Sequence, residues 1–501
     1  MGPVDDTAFH AIRQANAVAA VDLASGRRWS YREFDQAIGR CAALLRGAYG
    51  LKVGERVASL ARNRVELVIL HLACARAGLI YAPLNWRLSP VEIEGLLSDA
   101  EPALLVGDAE MDRVGLSGIL LDTLSAGIDT ATETFAEDVD PERISLILFT
   151  SGTSGKPKGV MLSERAQRQT ALNFGLLSQV NASSLMLIDT PMFHIIGLIT
   201  GVRPVLMQGA TFLVSDGFDP ARTLARLGDP ALGVTHYFCV PQMADLLRAE
   251  PGFDGRALGR LTALFTGGAP HPAAAIKAWL DAGVPVADGY GMSEAGTVLG
   301  MSLDPGTILA KAGSAGIPAP GVQVRIEGAD GQDAAPGTAG ELLLRGDNLF
   351  SGYWRQPEVT TAAFTEDGWF RTGDIASRDP DGFFSIVDRK KDMFISGGEN
   401  VYPAEIEAAM ADYPGITECA VVGIPDGRWG EVGHLFVAHS DKTIGFESVI
   451  AHLKNRIAQY KLPRAMSVVE ALPRTGSGKV AKAVLRTRVT GAGRPDKSLA
   501  F

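Results

Sequence analysis

The stretch ISLILFTSGTSGKPKG, residues 144–159, joins an apolar run to a loop of small residues, hydroxyls and two lysines. Ile144 to Phe149 is short, apolar and followed by a turn signal, which predicts a buried strand. Beyond it, Gly152, Gly155 and Gly159 free backbone N–H groups to converge on phosphate oxygens, while Thr150, Ser151, Thr153, Ser154, Lys156 and Lys158 add hydroxyl donors and positive charge. Pro157 stands where a Walker loop needs Ser or Thr after its Gly-Lys pair, so kinase and GTPase readings lose their main support.

On the N-terminal side of this loop the chain alternates. Val57 to Leu60 reads as a strand, Val65 to Ala77 as a helix, Ile80 to Pro83 as a strand, and Ala103 to Val106 as a strand after a helix that Ser89 caps with Pro90 in first position. Such alternation predicts βαβ units and a largely parallel sheet. It returns over residues 184–240, then at Leu261 to Phe265 and Val284 to Ala287, with ligands expected at the strand ends. After Pro320 the texture becomes Gly- and Pro-rich turns between short strands, with Gly331 and Gly337 punctuating a hairpin-rich, barrel-like unit. The charged run DRKKD from Asp388 precedes a fresh α/β pattern: a helix from Pro403 to Ala411, strands near Glu418 to Val422 and Leu435 to Ala438, and a helix from Phe446 to Ile457. The expected fold is therefore α/β: a large N-terminal domain, residues 1–390, of two parallel-type α/β subdomains plus a β-barrel-like one, then a small α+β domain over residues 391–501.

A length of 501 residues calls for two or three core units. Hydrophobic residues at 46% and charged ones at 21% are ordinary globular usage. The net charge of -10 and the absence of any basic block exclude a nucleic-acid footprint. Cys41, Cys74, Cys239 and Cys419 lie far apart, so they read as small buried hydrophobes rather than metal ligands or disulfides. The N-terminus lacks a basic-then-apolar signal pattern, and the apolar stretch from Ile195 to Leu206 is broken by Arg203 and Pro204, which leaves it too short to span a membrane. A cytoplasmic enzyme, monomer or homodimer, is expected; a lipid substrate could still draw it to a membrane surface.

The loop at residues 150–159 resembles the phosphate-binding signature of the adenylate-forming superfamily, which includes acyl-CoA synthetases, firefly luciferase and peptide-synthetase adenylation domains. Further segments match in order: PMFHIIG (191–197), FTGGAP (265–270), DGYGMSE (288–294), GWFRTGD (368–374), DRKKDMFISGGENVYPAEIE (388–407) and PRTGSGKV (473–480). A lone His in an apolar run is more often a core residue, and a Gly-flanked Lys near a C-terminus is more often a tail residue. Their place in this ordered set reverses both readings.

The resemblance implies ATP, Mg²⁺ and coenzyme A as co-substrates and cofactor. It implies that Asp288 partners the adenine amino group, Tyr290 offers the ring a flat face, Gly289, Gly291 and Met292 continue that strand, Ser293 bonds phosphate, and Glu294, with Thr150, binds the metal. Asp374 would accept from both ribose hydroxyls, Arg389 would contact ribose and phosphate, Lys391 would be the hinge, and Lys479 the mobile catalytic lysine of a lid. Gly397 and Gly398 would line the pantetheine tunnel. Trp429, Tyr460, Lys461 and Arg464 align with positions some relatives use for the nucleotide end of coenzyme A. The acyl pocket would be lined by Phe193, His194, Ile195, Ile196, Phe238, Gly267, Gly268, Gly289, Gly291, Gly296 and Thr297.

Carboxylate plus ATP would then give acyl-AMP and pyrophosphate, and coenzyme A would take the acyl group. Malonate-specific relatives have an Arg before the Tyr-Gly pair and a second His in the histidine motif, where this chain has Gly289 and Ile196. Acetate-specific relatives carry a Trp near the position of Gly291, and amino-acid adenylation domains an Asp near PMFHIIG. A medium- or long-chain fatty acid or a hydrophobic aryl acid is left. Rival expectations are a fatty acyl-AMP ligase loading a carrier protein, which needs an insertion near the hinge, a luciferase-like oxygenase, and a catalytically dead nucleotide binder lacking Lys479, Glu294 or Asp374.

Overall fold

The computed structural model describes residues 5–150, 157–269, 271–396, 399–439, 444–454, 456–475 and 479–490. Its contacts divide the chain into two compact units, Met1–Val324 with Leu344–Phe370, and Arg325–Leu343 with Arg371–Phe501. The hinge expected at Lys391 thus lies inside the second of these units.

In the first unit the strand predicted before the phosphate loop forms as Ile144–Thr150. It sits within a seven-stranded sheet in the order Gly352–Tyr353, Lys158–Ser163, Ile144–Thr150, Ile80–Pro83, Arg56–Leu60, Leu104–Gly107, Ile119–Leu120. The four pairings among Ile144–Thr150, Ile80–Pro83, Arg56–Leu60, Leu104–Gly107 and Ile119–Leu120 are parallel. Helix Val65–Ala77, apolar on all sides, is buried along its whole length and ends at Gly78 with φ 71°. Ser89 caps helix Pro90–Ala100 through a reciprocal box with Glu92.

A second sheet runs Ile317–Pro318, Gly296–Gly300, Val286–Met292, Leu264–Thr266, His236–Cys239, Leu185–Ile188, Thr211–Val214, Val18–Asp22, Arg28–Ser30. Two of its strands differ from expectation. The run from Leu261 becomes a strand only at Leu264, because Leu261 closes a turn on the carbonyl of Leu258. Strand Val286–Met292 begins later than Val284 and runs further, because beyond Asp288 it turns antiparallel to Gly296–Gly300.

The apolar stretch from Ile195 becomes a π-helix over Ile196–Thr200 and an α-helix over Arg203–Gln208. Arg203 donates to Glu164 Oε2 at 2.6 Å, deep between this helix and Glu164–Ser178. Burial alone would raise the Glu164 pKa, but the charges of Arg203 and His71 hold it below the usual carboxylate value.

In the second unit, Phe370–Arg378 and Phe384–Arg389 form an antiparallel pair within a four-stranded sheet with Val322–Glu327 and Gly340–Gly346. Gly331 and Gly337, at φ 76° and 83°, make the turns expected of them. The last sheet centres on the antiparallel pair Ile416–Asp426 and Gly430–His439, with Ala465–Val469 parallel to the latter. Val421, Leu435 and Val437 face one core with Phe394, Ile406 and Leu453; Ala420, Val422 and Phe436 face another with Leu472 and Leu485. Helices Pro403–Ala409 and Phe446–Lys454 end two and three residues before the expected Ala411 and Ile457.

The four cysteines are free, three of them buried and Cys419 half-buried. Among the described residues no helix is long and apolar enough to cross a membrane.

Removing one partner of a buried ion pair leaves an uncompensated charge. Arg203→Met should therefore destabilise the protein by about 3–5 kcal/mol in urea unfolding, and adding Glu164→Gln should restore a large part of the loss. A single mutant within 1 kcal/mol of the parent would contradict this account.

Candidate active site

Thr150 and Lys158 pair across the base of the phosphate loop, with Thr150 Oγ1 3.4 Å from the Lys158 carbonyl oxygen. Ser151, Gly152, Thr153, Ser154, Gly155 and Lys156 lie outside the described residues. The Lys158 ammonium lies 4.6 Å from the centroid of the Tyr353 ring, and the Tyr353 hydroxyl donates to Glu294 Oε1 at 3.1 Å. Tyr353 thus joins the base of the loop to the candidate metal carboxylate, although its local sequence carries no signal for that role. Phe350 N–H donates to the Glu294 carbonyl and the Asn348 amide to that of Ala295, which fixes the turn holding Met292, Ser293 and Glu294.

That turn belongs to the hairpin of Val286–Met292 and Gly296–Gly300. Gly291 lies so close to the other strand that a Cβ would sit 2.2 Å from the Gly296 carbonyl oxygen. Tyr290 is partly exposed, and its hydroxyl reaches Met292 Sδ at 3.5 Å. Asp288 is buried, and Thr266 Oγ1 donates to its Oδ1 at 2.8 Å. A hydroxyl has one proton, so Thr266 must accept from the His271 Nδ1–H, 3.0 Å away. Burial lowers the pKa of His271 to about 4, which keeps the ring neutral. Burial also pushes Asp288 up to about 7, against the hydrogen bonds from Thr266 and the Gly289 N–H. A carboxyl tuned to neutral pH, short of donors and set beside Tyr290, suits an incoming amino group.

The histidine segment is shaped by Asn63, whose amide donates to the Thr190 carbonyl at 2.8 Å and accepts from the Met192 N–H at 3.0 Å. Gly197 allows the tight turn, since a Cβ there would meet the Pro191 carbonyl at 2.4 Å. Phe193 and His194 pack edge to face at 4.6 Å, His194 half-buried, Ile195 buried and Ile196 half-buried. A Cβ on Gly268, at φ 83°, would touch Ile196 Cδ1 at 3.4 Å, and one on Gly267 would lie 3.2 Å from Phe238 Cζ and 3.0 Å from the Gly289 carbonyl. The structure therefore gathers Ile196, Gly267, Gly268, Phe238 and Gly289. Gly296, at φ 57°, abuts Thr170, and the Thr297 carbonyl accepts from the Asn173 amide at 3.1 Å.

In the second unit Asp374 and Arg389 are strand partners, and Arg389 Nε reaches Asp374 Oδ1 at 2.8 Å. Lys391 is exposed in the following turn, whereas Gly397 and Gly398 lie outside the described residues. Arg428 and Arg464 lie 5.1 and 5.8 Å from the Trp429 ring centroid. Lys461 is instead tied to Glu405 at 2.5 Å and lies 5.7 Å from the ring centroid of Tyr460. Lys479 is exposed, and its carbonyl accepts from the Thr475 N–H at 2.8 Å.

The strand ending at Thr150, the hairpin of Val286–Met292 with Gly296–Gly300 and the glycine-lined apolar wall carry ordered motifs of the adenylate-forming resemblance. The chain belongs to the AMP-binding enzyme family, matching it over residues 8–354 and its C-terminal domain over residues 405–479. It is similar to the feruloyl-CoA synthase of Amycolatopsis sp, at 37% identity over 92% of this chain and 94% of the relative. It also resembles the long-chain-fatty-acid--CoA ligase FadD13 of Mycobacterium tuberculosis, at 34% identity over 93% and 94% of the two chains. Among solved structures, ATP-bound MatB from Rhodopseudomonas palustris superposes with a TM-score of 0.89 at 30% identity, covering 98% of this chain and 100% of that one. The protein is an AMP-forming acyl-CoA synthetase that uses ATP and coenzyme A.

The raised pKa of Asp288 means that the folded state holds a proton which the unfolded chain gives up at lower pH. This penalty on stability grows as pH rises from the unfolded value, 3.8, and is complete above about 7. Asp288→Asn removes it. The variant's stability gain should be about 1 kcal/mol larger at pH 8.5 than at pH 6 in urea titrations. A gain independent of pH would show that Asp288 ionises normally.

Proposed function

We propose that this synthetase activates an uncharged hydrophobic carboxylic acid, a fatty or an aryl one, through the site residues assigned above. The observation that carries the proposal is the wall formed by Ile196, Phe238, Gly267, Gly268 and Gly289, none of which carries a charge. The feruloyl-CoA synthase and long-chain-fatty-acid ligase among its relatives both take acids of this kind by name.

In the first half-reaction the acid's carboxylate oxygen attacks the α-phosphorus of ATP. An oxygen–phosphorus bond forms, and the bond to pyrophosphate breaks. The acid is already ionised at neutral pH, so no general base is needed. The barrier lies in bringing two anions together, and positioned positive charge is the remedy. Lys479 and the loop from Thr150 to Lys158 supply it, while Asp288 and Tyr290 hold adenine and Asp374 and Arg389 hold ribose.

Magnesium fits the residues present. Glu294 offers a hard carboxylate oxygen beside the base of the phosphate loop, and no group of three His, Cys, Asp or Glu ligands occurs among the described residues. Mg²⁺ is commonly held by one or two carboxylates plus phosphates and water, so Glu294 with the Thr150 hydroxyl suffices. When bound, the ion would neutralise phosphate charge.

In the second half-reaction the coenzyme A thiolate attacks the acyl carbonyl, the thioester forms and AMP leaves. This step needs a thiol route and no lysine beside the α-phosphate, so the C-terminal domain rotates about Lys391. Lys479 withdraws and the loop beginning at Gly397 and Gly398 enters. Coenzyme A is favoured over a carrier protein because strands Phe370–Arg378 and Phe384–Arg389 are joined by a short turn from Asp379 to Phe383, with no insertion before Lys391. A cytoplasmic location, where ATP and coenzyme A are both available, is consistent with this reading.

Lys479→Ala should lower pyrophosphate release by about 10²–10³-fold. It should leave thioester formation from pre-made acyl-adenylate within about tenfold of the parent. Equal loss in both half-reactions would refute the division of labour.

A further inference from the structure

The acyl wall has a measurable depth. Phe238 and Phe265 are register partners on adjacent parallel strands, as are Phe265 and Ala287, so their side chains leave one face of the sheet. Two residues further along stand Gly267, just past the end of strand Leu264–Thr266, and Gly289, where Val286–Met292 passes into the hairpin. The backbones of these glycines and of Phe265 and Ala287 are thus a two-residue step apart, about 6.7 Å, and the Phe238 ring reaches across that step, its Cζ 3.2 Å from where a Cβ on Gly267 would stand.

Helix Glu164–Ser178 covers this face. Its Phe174 ring lies 5.5 Å from those of both Phe238 and Phe265, and His236 stacks behind Phe265 at 5.8 Å with the planes 3° apart. One turn along the helix, Leu177 fills the space behind Gly300, where a Cβ would sit 2.7 Å from its Cδ1. Phe174, Phe265 and His236 are buried, whereas Phe238 keeps accessible surface and places its ring edge beside Gly267.

We propose that Phe238, backed by Phe174 and Phe265 and with its ring edge beside Gly267, closes the acyl pocket at the glycine row, so that the acid is a compact, planar aryl acid and not a long-chain fatty acid. The inference rests on the ligase reading above and narrows its substrate class. An aromatic ring entering over Gly267 and Gly289 meets the Phe238 ring in the edge-to-face or offset geometry that aromatic pairs prefer. An extended alkyl chain of a dozen carbons meets closed packing.

The test is pyrophosphate release by the full chain, with ATP, coenzyme A and each of cinnamate, phenylacetate, dodecanoate and hexadecanoate. The parent should favour at least one aryl acid over hexadecanoate by about 100-fold in kcat/KM. Phe238→Ala should move the ratio of dodecanoate to aryl acid upward by about tenfold or more, and the milder Phe238→Leu should move it the same way by less. Activity confined to the two fatty acids, or a ratio unmoved in both variants, would overturn the pocket assignment and leave the ligase reading standing. No pyrophosphate from any acid, aryl or fatty, would overturn both.

Discussion

Helix Glu164–Ser178 lies closer to strand Gly296–Gly300 than any side chain at position 296 would allow. An added Cβ on Gly296 would stand 2.0 Å from Thr170 Oγ1, and the backbone there is left-handed besides. From that one close approach the site follows. Asn173, a turn along, bonds the Thr297 carbonyl, and Phe174 and Leu177 reach the sheet and the far strand of the hairpin. The hairpin so pinned carries Asp288, Tyr290 and Glu294, so the residues proposed to bind the nucleotide and those proposed to line the acyl pocket share one support. The same helix starts at Glu164, whose ion pair with Arg203 fixes it to the segment after the histidine motif. Rigid secondary elements with locked packing are what a site positioned to fractions of an ångström requires.

The buried carboxylates of the first unit divide by what surrounds them. Glu164 has Arg203 at hydrogen-bond distance and stays ionised. Asp189 and Asp288 have hydroxyl donors, Thr223 and Tyr237 in one case and Thr266 in the other, and burial raises them to about 6 and about 7. A hydroxyl donor offsets only part of the cost of taking a carboxylate out of water. Asp189 lies within the sheet core, where its two hydroxyls complete its surroundings. Asp288 lies where the strand leaves its parallel partner and enters the hairpin, and there the deficit leaves its carboxyl able to accept from a further donor.

Elements governed by local rules were legible in the sequence. Helix Val65–Ala77 and strand Ile80–Pro83 could be bounded from their apolar runs, and the Ser89 cap from the Pro90 that follows it. What long-range contact decides was not. Nothing in the apolar run from Ile195 distinguishes a π-helix from an α-helix; the difference comes from Gly197 folding against Pro191 and from Asn63, far upstream, holding the turn. Tyr353, Thr266 and Asn63 act through partners remote in sequence, so no local motif marks them. Conversely, the ordered motifs marked Asp374 and Arg389 as a nucleotide pair, and pairing across two strands brings their side chains into contact.

The cationic residues of the second unit differ in what they have left to offer an anion. Lys461 is committed to Glu405 and Lys390 to Glu341, each within 3 Å, so their charges are largely spent inside the fold. Arg428 and Arg464 instead lie within 6 Å of the Trp429 ring centroid, next to Asp426, whose carboxylate accepts from the backbone N–H groups of Arg428 and Trp429. An indole ring with guanidinium groups nearby can stack on a purine while the arginines fork onto phosphates, which a lysine paired with a carboxylate cannot do. If the nucleotide end of coenzyme A binds this unit, the weight falls on Trp429 and Arg464 rather than on Tyr460 and Lys461, although all four stood equal in the sequence.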